Sequence, residues 1–177
     1  LRTQVCQANK ELKNNGLVLW TSGNVSARDP ETGYVVIKPS GVLFDDLTPE
    51  KIVVIDLEGK VIDGDMKPSV DTLSHLYIYK HRSDINGVVH THSPYATSFA
   101  ITGEPLEIYT TTSAAVFGGP IPVSDFATIG EEEIGKEVVE KIGTSTAILI
   151  RNHGVFTIGE NFTKALKNAV VLEETAQ

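Results

Sequence analysis

The hydrophobic positions change period several times along the chain, and each change marks an element. In LRTQVCQANKELKNNG, Leu1, Val5, Ala8 and Leu12 recur at helical spacing, and Gly16 offers a C′ residue. The period then shortens: LVLWT, NVSAR, GYVVIK and KIVVIDL read as short strands, the last pairing with KVID across Glu58–Gly59 as a hairpin. Between them TPEK supplies Thr48 as N-cap and Pro49 at N1 for a single helical turn.

SVDTLSHLYIYKHR returns to helical spacing, with Leu73, Leu76, Tyr77 and Lys80 along one stripe. GVVHTH is a strand. SPYATSFAIT follows as a helix with Ser93 as N-cap, Pro94 at N1 and Gly103 behind it. IPVSDF reads as a short strand, and GEEEIGKEVVEKIG as an amphipathic helix through Ile134, Val138 and Ile142 that stops at Gly143. TAILIRNHG and VFTIG pair as strands before the closing helix, NFTKALKNAVVLEETAQ. Many strands precede the first strand–helix alternation, which predicts mixed α/β around a largely antiparallel sheet.

Composition narrows the picture. The chain has 177 residues, 41% of them hydrophobic, as expected of one globular domain over residues 1–177 with a core that needs no staples. A net charge of −8, with no basic cluster, argues against nucleic acid or an anionic membrane as partner. Cys6 is the only cysteine, so no disulfide framework exists, which fits a cytoplasmic protein. The apolar runs are strand-sized, far short of the ~20 residues of a membrane span. The chain opens without Met or a signal-peptide pattern and stops within a helical pattern, so a tail beyond residue 177 is expected.

The candidate chemistry lies at strand ends. Side chains alternate along a strand, so His90 and His92 in VVHTHS share a face. His153, in IRNHG, stands at the end of another strand. Three neutral imidazoles are a common shell for a catalytic Zn²⁺ with an open position, although each could instead be a hydrogen-bonded core histidine. His75 and His81 fall among polar residues on a helix and read as surface groups. TSGNVSAR and IKPSGV are polar turns leaving strands. Their glycines let backbone N–H groups approach an anion, Ser22, Asn24 and Ser40 add donors, and Lys38 adds charge. Ser69 opens a helix whose free N–H groups can face a phosphate. Taken singly, each of these is also an ordinary turn or cap. Asp71, in the first helical turn, either complements the helix dipole or serves as a fourth metal ligand or an acid/base group.

The ordered set SGNVS, IKPSG, KPSVDT, VVHTHS, IP…FA, RNHG and NAVVLEE resembles the class II aldolase/adducin family, and within it most closely the branch of L-ribulose-5-phosphate 4-epimerases. The resemblance runs from near residue 1 to residue 177. It implies a three-layer α/β/α fold on a largely antiparallel sheet, assembled as a homotetramer with active sites between subunits. It further implies one divalent metal ion per subunit, typically Zn²⁺, held by His90, His92 and His153, with Asp71 as an additional ligand and catalytic group. Gly23, Asn24, Ser40, Gly41, Ser69 and Val70 fall on the family's substrate and phosphate positions. The implied chemistry is reversible aldol cleavage of a sugar phosphate. In the epimerases the aldehyde fragment turns and recombines; in the aldolases, which carry glutamate where this chain has Asp71, it leaves. A non-catalytic, adducin-like interaction module would have no reason to keep the three histidines.

Three positions depart from the pattern. Ala115 stands where the epimerases place an acid/base aspartate, and Thr111 where the aldolases place a tyrosine. Val70 replaces the second serine of a phosphate-binding pair, which removes one hydroxyl donor. The family's C-terminal catalytic tyrosine would lie beyond residue 177.

Overall fold

In the computed structural model, which describes residues 1–177, the strands are β1 (Asn24–Arg28), β2 (Val35–Ile37), β3 (Val53–Ile55), β4 (Val61–Asp63), β5 (Gly87–Thr91), β6 (Ala147–Ile150) and β7 (Gly154–Gly159). They form one sheet in the order β4-β3-β2-β1-β5-β7-β6, and every pairing is antiparallel. The helices are α1 (Arg2–Asn14), α2 (Thr72–His81), α3 (Pro94–Thr102), α4 (Thr111–Phe117), α5 (Glu133–Lys141) and α6 (Phe162–Ala176). Thr48 and Pro49 open a short 3₁₀ turn, Pro49–Lys51.

Strand alternation divides the core between two faces. Val35, Ile37, Val88, Phe156 and Ile158 pack with Leu76 and Tyr79 of α2 and with Ile134 and Val138 of α5. On the opposite face Val25, Ala27, Val36 and Val89 meet Val5 and Leu12 of α1 and Ala165 and Ala169 of α6. A third cluster joins Ala96 and Ala100 of α3 to Leu149, Val155 and Leu172. Helices thus cover both sides of the sheet, the three-layer α/β/α arrangement. Because Val88 faces α2, so do His90 and the continuing His92.

Buried polar groups tie the layers together. Residues Ser26 to Arg28 of β1 pair with β2, so Val25 lies past the end of that ladder. The fully buried Asn9 of α1 takes its place: its amide donates to Val25 O at 3.1 Å, and its Oδ1 accepts the Val25 N–H at 2.8 Å. Arg28, on the other face, donates to the carbonyls of Tyr79, Ser83 and Ile85 and so caps the C-terminus of α2.

Three local expectations change, and one helix is added. LVLWT is no strand. Leu17 and Val18 are buried core residues, but the Ser22 N–H donates back to Leu19 O, Trp20 has φ 57°, and Leu19 and Trp20 are each 79% exposed. Its apolar pattern reflected packing and a turn rather than strand pairing. IPVSDF makes only isolated bridges, Leu106 with Ile121 and Val123 with Leu149. TTTSAAVF forms α4, started by the Thr110 side chain, which accepts the Ser113 N–H, and ended at the left-handed Gly118. Finally, α2 begins at Thr72 and buries His75, Leu76 and Tyr79, whereas Lys80 is exposed. The stripe is rotated because α2 is covered by the sheet and also by α5, where a Cβ on Gly135 would lie 2.6 Å from Ser74 O.

The Asn9 contact yields a stability prediction. Asn9→Ala leaves the Val25 N–H and C=O unpaired in the core, at about 1–3 kcal/mol for each group. Urea denaturation should show a loss of about 2–5 kcal/mol, whereas exposed Asn14→Ala should change stability by less than about 0.5 kcal/mol. Equal stabilities of the two variants would contradict this role for Asn9.

Candidate metal centre and anion cavity

His90 and His92 are aimed by the pairing of β5 between β1 and β7, in which Asn24 lies opposite His90 on one side and Phe156 on the other. His153 arrives from the β6–β7 hairpin. There Asn152 adopts φ 59°, the left-handed conformation that asparagine tolerates, while the His153 N–H donates to Ile150 O at 3.0 Å. Gly154 lets the two strands close over the rings. A Cβ at that position would lie 2.5 Å from Thr91 O and 2.6 Å from His92 Cδ2. The three imidazoles present ligand atoms that all lie within 4.8 Å of one another.

Their hydrogen bonds favour a cation at that point. His90 is almost fully buried, and its Nδ1 lies 2.9 Å from Val155 O, which can only accept. Nδ1 is therefore the protonated nitrogen, and Nε2 turns its lone pair toward His92 Nε2, 3.1 Å away. A backbone carbonyl behind a ring N–H is the usual support of a metal-ligating histidine. His153 Nδ1 is shielded from solvent without any partner in the chain. Burial first, and the neighbouring His90 second, push His92 down to about 4, against the opposing pull of Asp71. His153 is likewise lowered to about 4 by burial, His90 and His92. Both rings are neutral at pH 7, the state a metal requires. The three side chains thus suit a divalent ion by donor type, convergence and protonation.

His75 is the opposite of the surface group expected from its polar neighbours. It is fully buried, its Nδ1 lies 2.7 Å from Ser26 Oγ, and its ring meets the edge of Phe156, on which His90 stacks with centroids 4.5 Å apart. Burial lowers it to about 3, so it stays neutral. His81 is exposed and stacks on Tyr77.

The His92 and His153 rings open onto a polar cavity of about 290 Å³. Gly23, Asn24, Ser40, Gly41, Ser69 and Val70, the positions singled out as anion turns, all line it, and so do Asp71, His92 and His153. Gly23 has φ 86°, and a Cβ there would lie 2.6 Å from Val18 Cγ1. Asn24 is buried and donates through Nδ2 to Ser69 Oγ at 2.9 Å and to Asp71 Oδ2 at 2.7 Å. Burial raises the Asp71 carboxyl, but His90, His75 and the Asn24 hydrogen bond outweigh it and hold the group below the usual carboxylate range. Asp71 borders the same cavity yet is not among the ligand atoms that converge within 4.8 Å.

The anion turns are partly engaged already. The Ser40 and Ser69 N–H groups donate to the carbonyls of Lys67 and Lys38, and the Ser69 hydroxyl donates to Asp71. That leaves the Gly41 and Val70 N–H groups and the Ser40 hydroxyl free for an anion. Lys38 Nζ donates to Thr21 O at 3.0 Å over the Phe44 ring, joining the two turns from behind, and burial lowers it to about 8 against the pull of Asp71. Its charge acts through the cavity wall. Ile129, which the sequence did not flag, adds an apolar patch to the rim. Ala115 and α4 lie elsewhere: Ala115 borders a separate cavity beside Arg82 and Lys167.

Comparison with known proteins agrees with this geometry. The profile of the Class II Aldolase and Adducin N-terminal domain matches residues 3–177. An L-fuculose 1-phosphate aldolase is similar in structure with TM-score 0.92 and 31% identity, over 99% of this chain and 82% of the other. YgbL from Escherichia coli, a candidate aldolase/epimerase/decarboxylase, gives TM-score 0.88 and 27% identity over 99% and 86%. The L-fuculose-1-phosphate aldolase of Thermus thermophilus gives 0.83 and 28% over 98% and 89%.

Gly154 provides the test of this centre. Gly154→Ala should force β7 away from the His92 ring and cut Zn²⁺ content by about tenfold or more, as lost ligand support does elsewhere. Gly119→Ala, where nothing lies within 4 Å of the new Cβ, should keep its metal. Elemental analysis of the two purified variants decides, and undiminished metal in Gly154→Ala would refute the packing argument.

Proposed function

Because the chain belongs to the class II aldolase and adducin family, we propose that it is a metal-dependent enzyme that breaks and re-forms a carbon–carbon bond of a sugar phosphate. The observation that carries this reading is the convergence of three imidazoles, two of which line a polar cavity whose rim offers unengaged backbone N–H groups. His90, His92 and His153 would hold one divalent ion, and the all-nitrogen set suits Zn²⁺. When bound, the ion supplies Lewis acidity toward a carbonyl oxygen, worth several kcal/mol of charge stabilisation.

The chain's own groups do the rest. The Gly41 and Val70 N–H groups and the Ser40 hydroxyl bind the phosphate, and Lys38 adds field from behind. Asn24 and Ser69 hold Asp71 through Oδ2, which leaves Oδ1 without a hydrogen-bond partner in the chain. Held ionised, Asp71 Oδ1 accepts the proton of the substrate hydroxyl beside the bond that breaks. The electron pair of that bond then passes into the ketone half, and the hydroxyl-bearing carbon becomes the aldehyde. Where the aldehyde leaves, the ketone half is then protonated; no second carboxylate of the chain lines the cavity, and we assign that proton to a group of a neighbouring copy in a homotetramer.

Two outcomes share the deprotonation and the bond cleavage, and in epimerisation the unprotonated ketone half recombines with the turned aldehyde. Release of the aldehyde, an aldolase of fuculose-phosphate type, is supported by the likeness at 31% identity and by alanine at position 115. Epimerisation, as in ribulose-phosphate 4-epimerases, is supported by aspartate rather than glutamate at position 71. We place the aldolase first.

Zn²⁺-loaded protein should release a trappable aldehyde from a ketose 1-phosphate faster than it epimerises ribulose 5-phosphate, and His92→Ala should abolish both. Epimerisation with no free aldehyde would reverse the order; indifference to His92→Ala would overturn the reading. Asn24→Ala removes a charge-assisted hydrogen bond of about 1.5–3 kcal/mol from Asp71. Steady-state kinetics should show kcat/KM falling by roughly 10- to 150-fold. An unchanged value would separate Asn24 from the chemistry.

A further inference from the structure

Resting on the reading of the three histidines as a metal site, we propose that Glu173 is a positioning residue for His92, acting through the N-terminus of α3. His92 joins β5 to α3, with Ser93 alone between it and Pro94. Ser93 occupies the N-cap and is fully buried, yet its side chain makes no capping bond. The first-turn donors go elsewhere: the Tyr95 N–H donates to Glu173 Oε1 and the Ala96 N–H to Glu173 Oε2, both at 2.9 Å. A carboxylate across two free N–H groups satisfies them and complements the helix dipole.

What separates this contact from ordinary capping is what it connects. Glu173 sits on α6, whose Leu172 and Ala176 share an apolar cluster with Ala96 and Ala100 of α3. On the same face, nearer the N-terminus of α6, Ala165 and Ala169 pack in the cluster that holds Val89 of β5. α6 therefore grips the polypeptide on both sides of His92, the strand before it by packing and the helix after it by hydrogen bonds. The His92 ring is meanwhile pressed against Gly154. Half-exposed and at a strand end, His92 has no buried ring partner like the Val155 carbonyl that orients His90, so its direction depends on this backbone anchor.

Co²⁺, whose visible absorption reports ligand geometry, is the probe. The intact protein should bind one Co²⁺ per chain. In E173Q one acceptor oxygen becomes an NH₂ that opposes a backbone N–H. Co²⁺ affinity should fall about tenfold, the lower end for lost ligand support, and the visible bands should change shape. E173D, which keeps the charge, should recover part of the loss, and E174Q, at the exposed neighbour, should match the parent. A lower melting temperature for E173Q with unchanged affinity and bands would make Glu173 a helix cap only. If E173Q does not fold, the same two outcomes are read from E173D. Failure of the parent to bind Co²⁺ would overturn this proposal and the metal reading together.

Discussion

The register of β5 between β1 and β7 is the constraint on which the site depends. With Asn24 opposite His90 on one side and Phe156 on the other, the two histidines, Asn24 and Ser26 all point toward α2. Side chains alternate, so a slip of one residue would turn every one of them to the opposite face. Three things forbid the slip. Val88 and Val89 alternate into two different apolar clusters, Gly154 fits only under the His92 ring, and Asn9 grips the Val25 backbone. Core packing and the site are thus specified by the same pairings.

The electrostatic character of the cavity follows from that placement. A chain of net charge −8 does not attract a phosphate by its overall field, so an anion site must be local. Backbone N–H groups at two turns and one buried lysine are the local donors on which the proposed phosphate site rests. Burial also keeps His92 and His153 neutral without removing their lone pairs, and places the ionised Asp71 within reach of the space they share. The buried His75–Ser26–Tyr79 chain of hydrogen bonds meets Phe156 through the His75 ring and so backs the His90 ring.

Much of this was legible in the sequence because it is written in period and punctuation. The alternation of GVVHTH reveals two histidines on one face, and glycines mark the turns that line the cavity. The fold class followed from strands preceding strand–helix units. What stayed hidden depends on contacts between distant segments. Nothing local distinguishes Asn9 from any polar residue of an amphipathic helix, or Glu173 from exposed Glu174. His75 looked like a surface group because its neighbours are polar, yet α2 is covered on two sides and buries Ser74 and His75 together. LVLWT shows the converse, since apolar residues at strand spacing can equally belong to a turn whose first half is core. Ala115 invited comparison with an acid/base position, but α4 lies outside the chain's own cavity.

The central claim is that one divalent ion sits among His90, His92 and His153, and anomalous diffraction from crystals of the Zn²⁺-loaded protein tests it most directly. The account predicts a single strong peak per chain at the zinc edge, about 2.0–2.1 Å from one nitrogen of each ring. A peak at any other group of residues would contradict it, as would an empty centre with the three rings hydrogen-bonded only to one another.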